Sequence, residues 1–115
     1  MVPGCSEGEP FELAALSSAD GATCLRLAGE LDVASIAVLE RLLAPAISAG
    51  DDVVLDCSRL TFIDAGGLAA LLVAHRAAIR AGGSLRVDDP TPEVARTFHL
   101  ARLGFLLADR AGSLN

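Results

Sequence analysis

The sequence predicts an α/β fold: a mixed β-sheet of four to five strands, an N-terminal hairpin followed by a parallel βαβαβ unit, with three to four helices. Three observations carry this reading. Apolar residues alternate with polar ones over residues 23–28, a period of two. The spacing then becomes helical from Ser35, and again from Leu68. A short apolar run at residues 53–55 and a strand-like segment at residues 84–87 each follow a helical stretch across a glycine-bearing link. Strands alternating with helices over short links call for crossover connections and parallel strands.

Taken in order, residues 1–9 are polar and hold Pro3, Gly4 and Gly8, so residues 1–10 read as a disordered start. Residues 11–16 are short and apolar-rich, and Ser17-Ser18-Ala19-Asp20-Gly21 is turn chemistry. Residues 23–28 put Leu25 and Leu27 on one face, Cys24 and Arg26 on the other, and close a hairpin. Gly29-Glu30-Leu31-Asp32 leaves that strand. Leu39, Leu42, Leu43, Ala46 and Ile47 then mark one face of a helix that begins near Ser35. Pro45 lies inside the pattern, which predicts a kink or an early end, and Gly50 supplies the cap.

Val53-Val54-Leu55, bounded by acids, reads as a central strand covered on both faces or nearly so. A short polar loop carrying Ser58 and Thr61 follows. The clearest helix spans residues 67–81, with Leu68, Leu71, Leu72, His75 and Ile79 as its stripe and Gly82-Gly83 as its stop. A third parallel strand is expected over residues 84–87. Thr91 fits an N-cap and Pro92 a first helical residue, with Val94, Phe98 and Leu100 facing inward. Leu103, Phe105, Leu106 and Leu107 close the domain. One domain over residues 11–108 is expected, with a flexible tail over residues 109–115.

Composition excludes several functions. The chain has 115 residues, a net charge of −6 and no Trp or Tyr. Such a chain lacks the basic footprint and stacking platforms of a nucleic-acid binder. It carries no basic-then-apolar leader and no apolar run of membrane-spanning length, so a cytoplasmic protein is expected. Every one of the nine basic residues is Arg. Without lysine there is no P-loop and no Schiff-base nucleophile. No G-x-S-x-G elbow is present, and Gly66-Gly67 is not a dinucleotide fingerprint. The chain does not read as an enzyme, and no cofactor is expected.

The remaining chemistry is sparse. His75 and His99 sit on different predicted helices with no ligand at metal spacing, and each reads as a boundary residue. Asp32, Asp56 and Asp64 all follow predicted strands. They could meet at one sheet edge and hold a metal, but helix capping explains them better. Cys5, Cys24 and Cys57 are odd in number and widely spaced, which suits reduced thiols. A Cys24–Cys57 bond requires neighbouring strands; otherwise both are small core residues. The stretch Leu60-Thr61-Phe62-Ile63-Asp64-Ala65-Gly66-Gly67-Leu68 places Asp64 and Ala65 at a helix N-terminus. A partner protein or an anion is naturally read there.

The chain resembles the STAS domains of bacterial anti-sigma factor antagonists. The matching stretches are Leu27-Ala28-Gly29-Glu30-Leu31-Asp32, Val53-Val54-Leu55-Asp56-Cys57-Ser58 and Thr61-Phe62-Ile63-Asp64-Ala65-Gly66-Gly67-Leu68, with Ala81-Gly82-Gly83 before a strand and a Leu-rich close. They fall in register over about residues 11–107. The resemblance implies a STAS-like fold and a binding switch: the domain binds an anti-sigma factor and so frees a sigma factor. The partner is usually a serine kinase with a GHKL-type ATPase fold. That kinase phosphorylates a Ser or Thr directly after the motif Asp, and phosphorylation ends binding.

In this chain the residue after Asp64 is Ala65 and the next is Gly66, and neither accepts phosphate. Ser58 and Thr61 are the nearest upstream hydroxyls. Arg102 stands where the family pattern has Gly before Leu103. The expected partner surface is Glu30, Asp32, Asp64, Ala65, Gly66, Gly67 and Leu68, and a homodimer is compatible with it. The alternative is a STAS module with another client: a signalling-complex subunit, a lipid-transport accessory protein, or a nucleotide or anion sensor at Gly66-Gly67.

Overall fold

A computed structural model describes residues 11–19 and 22–107. The expectations for residues 1–10 and 109–115, and for Cys5, lie outside these residues. Four strands, β1 (Glu12–Ala19), β2 (Ala22–Leu31), β3 (Asp52–Ile63) and β4 (Ser84–Asp88), form one sheet in the order β1-β2-β3-β4. The first pair is antiparallel; β2 with β3 and β3 with β4 are parallel. The helices are α1 (Val33–Ser48), α2 (Ala65–Arg80) and α3 (Pro92–Leu100), followed by a 3₁₀ turn, Gly104–Leu106. The α/β class, the mixed sheet and the hairpin-then-βαβαβ order match the sequence reading.

The alternation read over residues 23–28 continues to Leu31. Leu25, Leu27 and Leu31 are buried, whereas Cys24, Arg26 and Ala28 are half-exposed. Glu30 and Leu31 therefore belong to β2 and do not leave it. Ser17, Ser18 and Ala19, read as turn, extend β1; Asp20 and Gly21 lie outside the described residues.

The strand β3 differs most from expectation. It runs for 12 residues, and the polar loop expected after Leu55 is its second half, so Ser58 and Thr61 lie in a strand. Two irregularities against β2 explain this. Arg26 pairs with Asp56 but Ala28 with Arg59, and Gly29 pairs with Leu60 but Glu30 with Phe62. Each step inserts one extra residue into β3, as a β-bulge does, and breaks the period of two. The buried residues consequently fall at Val53, Leu55, Cys57, Leu60 and Ile63. Thr61 Oγ1 donates to the Gly29 carbonyl at 3.1 Å, and Gly29 takes φ +89° at the same place. Val54 and Asp56 face the other side half-exposed, so β3 is fully covered on one face only.

Helix α1 begins at Val33 and runs through Pro45 to Ser48, so Pro45 ends nothing early. Both Pro45 and Arg41, whose carbonyl loses its donor, are exposed on the solvent side. Leu39 and Leu43 enter the core, with Ala46 and Ile47 packed against it; Leu42 is exposed. In α2 the inward residues are Gly67, Leu68, Leu71 and Ala78. Leu72 and His75 are half-buried and Ile79 points to solvent, because the buried face turns toward Ala78. Val94 and Phe98 of α3 are buried and Leu100 is exposed.

All three helices end with a sixth-to-first backbone bond: Asp51 to Ala46 at 3.1 Å, Gly83 to Ala78 at 2.9 Å and Leu103 to Phe98 at 2.8 Å. The left-handed residue of each motif is Gly50, Gly82 and Arg102. Arg102 has φ +63°, a conformation glycine adopts freely and arginine does not.

Candidate functional site: the paired helix starts beyond β2 and β3

Parallel neighbours β2 and β3 end together, with Leu31 paired to Ile63. One residue, Asp32, separates β2 from α1, and one, Asp64, separates β3 from α2. The two helix starts are therefore side by side. Asp64 N–H donates to the Leu31 carbonyl at 3.3 Å, and an ideal Cβ on Gly66 would lie 3.4 Å from Ile36 of α1.

Both aspartates cap helices. Asp32 Oδ1 accepts the Ala34 N–H at 3.0 Å and lies 3.3 Å from Ser35 Oγ. The buried Ser35 hydroxyl also donates to the Glu30 carbonyl at 2.8 Å, which ties the end of β2 to α1. Asp64 Oδ1 accepts the Gly67 N–H at 2.8 Å. Capping of this kind satisfies donors that a helix start leaves open and contributes about 1 kcal/mol. The first turns of α1 and α2 contain no acidic residue, so Glu30, Asp32 and Asp64 supply the negative charge of this edge.

Burial divides the expected partner set. Ala65 and Gly66 are exposed; Glu30, Asp32 and Asp64 are half-exposed; Gly67 and Leu68 are buried. A Cβ on Gly67 would come within 2.8 Å of the Leu31 carbonyl and 2.9 Å of Ile63. The close approach that Gly67 allows is to the chain's own β2. Two residues outside the expected set also lie on this edge. Val33, the first residue of α1, is 82% exposed, and Phe62, one residue before the end of β3, is 47% exposed. Sequence reasoning passed over both. Val33 lies before the helix expected from Ser35, and Phe62 falls in the stretch read as a loop after Leu55.

The third aspartate stands apart: Asp56, expected to follow a strand, lies inside β3, because the strand runs on to Ile63, and it caps no helix. Asp56 pairs with Arg26 at 3.2 Å and accepts the Ser58 N–H at 2.9 Å. Burial raises its carboxyl pKa, but Ser58 and the Arg26 guanidinium outweigh that and hold it below the usual value. No group of three His, Cys, Asp or Glu residues suited to a metal occurs among the described residues. Cys24 and Cys57 lie on neighbouring strands but opposite faces: Cys24 pairs beside half-exposed Val54, while Cys57 points into the core. Both are free thiols. Burial, with Asp56 and Asp88 nearby, pushes Cys57 up to about 12, so its reactive thiolate is suppressed. His75 behaves as a boundary residue: Nδ1 lies 3.3 Å from the Leu85 carbonyl and the ring meets Phe105 edge-on at 5.6 Å. His99 is exposed and packs over Gly104. No helix among the described residues is long and apolar enough to cross a membrane.

The family model described as "Mlab, STAS domain" matches residues 14–108. The anti-sigma-B factor antagonist of Bacillus subtilis is 28% identical over 79 residues, covering 69% of this chain and 72% of that protein. An anti-sigma factor antagonist from Mycobacterium paratuberculosis superposes with a TM-score of 0.71 at 22% identity, covering 90% of this chain and 92% of the other. The anti-sigma factor antagonist SpoIIAA in its unphosphorylated form gives 0.69 at 22% identity, covering 91% and 93%.

Proposed function

This chain belongs to the STAS domain family, and on that premise we propose that it acts as an anti-sigma factor antagonist. It binds an anti-sigma factor through the paired helix starts and so leaves a sigma factor free for transcription. The observation that carries the reading is the junction itself. Asp32 and Asp64 cap adjacent helices, and the small exposed residues Ala65 and Gly66 let a partner's backbone come close. The curated relative named for antagonism of an anti-sigma factor supports the partner class. The role is one of binding, not catalysis.

The usual control is altered in this chain. Phosphate on the residue after Asp64 would place about two negative charges on the docking edge. Ala65 cannot take it, so binding is constitutive at this position and is set by abundance. A kinase partner would dock without modifying residues 64–68. Thr61, whose hydroxyl is engaged with the Gly29 carbonyl, and Ser58 are the hydroxyls to watch. A cytoplasmic location follows from the proposed partner.

The test is calorimetric titration of the purified chain with the anti-sigma factors of its own genome. Wild type should bind one of them, and Asp64→Arg should bind at least tenfold more weakly while keeping its circular dichroism. If no anti-sigma factor binds the wild type, the reading fails. One observation favours a second reading, a STAS module with another client: the family description names Mlab and not an antagonist. Failure of every anti-sigma titration would turn to that reading.

A further inference from the structure

We infer that Phe62 and Val33 are the apolar anchors of this docking edge, and that the partner seats an aliphatic or aromatic side chain between them, ringed by Arg or Lys. The inference rests on the proposed function and names the chemistry of the partner's contact. Four facts carry it.

First, large apolar side chains are usually withdrawn from water when a core is available, and this chain has one. Phe98 is fully buried, Phe11 is packed against the core, and exposed Phe105 rests edge-on against the His75 ring, whereas Phe62 stays exposed on the strand that carries fully buried Leu55 and Leu60. Second, the exposure has a structural cause. The bulge between Gly29 and Glu30 turns Ile63 inward, and Phe62 therefore faces away from the core, in register with Glu30. Third, Val33 occupies the first turn of α1, where Glu would serve the helix better. It is nearly free of contact. Fourth, residues 29–37 and 60–69 hold the carboxylates Glu30, Asp32 and Asp64 and no Arg, the nearest cation in sequence being exposed Arg59 earlier on β3. An apolar centre inside an acidic rim is complementary to an apolar side chain flanked by cations. Aromatic anchors of this sort carry most of an interface's energy, while the rim sets rate and salt dependence.

The experiment titrates the same anti-sigma factors against wild type, Phe62→Ser, Val33→Ser and Leu100→Ser, with thermal melts of each. Phe62→Leu is included to keep an apolar side chain. Phe62→Ser should lose affinity by about thirtyfold or more and Val33→Ser by about tenfold, with melting unchanged. Phe62→Leu should restore most of the loss. Leu100→Ser, an exposed apolar residue at the end of α3, should bind like wild type. Affinity should also fall as NaCl is raised. Wild-type binding that Asp64→Arg abolishes but Phe62→Ser and Val33→Ser leave intact overturns the anchor and spares the function. Binding indifferent to salt overturns the cationic rim. No binding by wild type overturns the function and the anchor together.

Discussion

Helices α2 and α3 place their local stability signals at opposite ends. The start of α3 holds a Thr91 cap whose hydroxyl accepts the Val94 N–H at 3.3 Å, Pro92 in the first turn and an acid, Glu93. Each of these favours a helix start. The start of α2 has its Asp64 cap, then Ala65, Gly66 and Gly67, with no acid in the first turn. At the other end the order reverses. Left-handed Gly82 closes α2 without strain, whereas Arg102 carries φ +63° to close α3. Helix α3 is secured where it begins. The first turn of α2 is stripped of everything but its cap, and it starts beside α1, whose first residue Val33 is exposed. Packing against Leu31 and Ile63 explains the missing side chain at Gly67 but not those at exposed Ala65 and Gly66, where the proposed partner would dock.

The largest expected effect breaks the α2 start from within. Gly67→Ala puts a methyl group within 2.8 Å of the Leu31 carbonyl, and backbone must shift to admit it. A loss of about 1–3 kcal/mol is expected by urea denaturation, in the range of overpacked cores. An unchanged midpoint would show that the two helix starts are not tightly seated.

A second pair of substitutions compares the caps directly. Asp64→Ala and Thr91→Ala should each cost about 1 kcal/mol in the same assay. Only Asp64→Ala should also weaken partner binding. Equal effects on binding would remove the distinction between a helix start that docks and one that only folds.

The smallest effect concerns the other end of α3. Arg102→Gly should stabilise by about 0.5–1 kcal/mol, because relief of the left-handed strain exceeds the added chain entropy of glycine. A destabilised variant would mean that the Arg102 side chain contributes contacts that outweigh its backbone.

Much of this contrast is legible in the sequence, because caps are local. Thr91-Pro92, Asp32 and Asp64 identify themselves by position and by a short oxygen-bearing side chain, whereas Asp56, read the same way, lies inside β3. The hairpin is legible for the same reason: Leu25 and Leu27 keep a strict period of two. What escapes is whatever depends on a neighbour. The second half of β3 reads as loop because its bulges against β2 move the buried positions from Cys57 to Leu60 to Ile63. Phe62 falls in that stretch, so its place on a strand and its exposure go unread. On α2 the eye follows large side chains to Ile79, but close packing of the helix favours small Ala78, which is fully buried while Ile79 is 54% exposed. Burial of Gly67 cannot be read from a glycine pair alone, since glycine permits approach from a partner or from β2 equally.

On the proposed function, the first turn of α2 is kept bare for a partner. Ala65→Glu tests it most directly, because the same acid should help the helix and harm the complex. A negative charge in the first turn favours the helix dipole by about 0.3–1 kcal/mol. Melting temperature should therefore hold or rise slightly, while affinity for the anti-sigma factor, measured by calorimetry on the same samples, falls about tenfold or more. Undiminished affinity in a folded Ala65→Glu chain would contradict the claim and move the docking surface elsewhere on the domain.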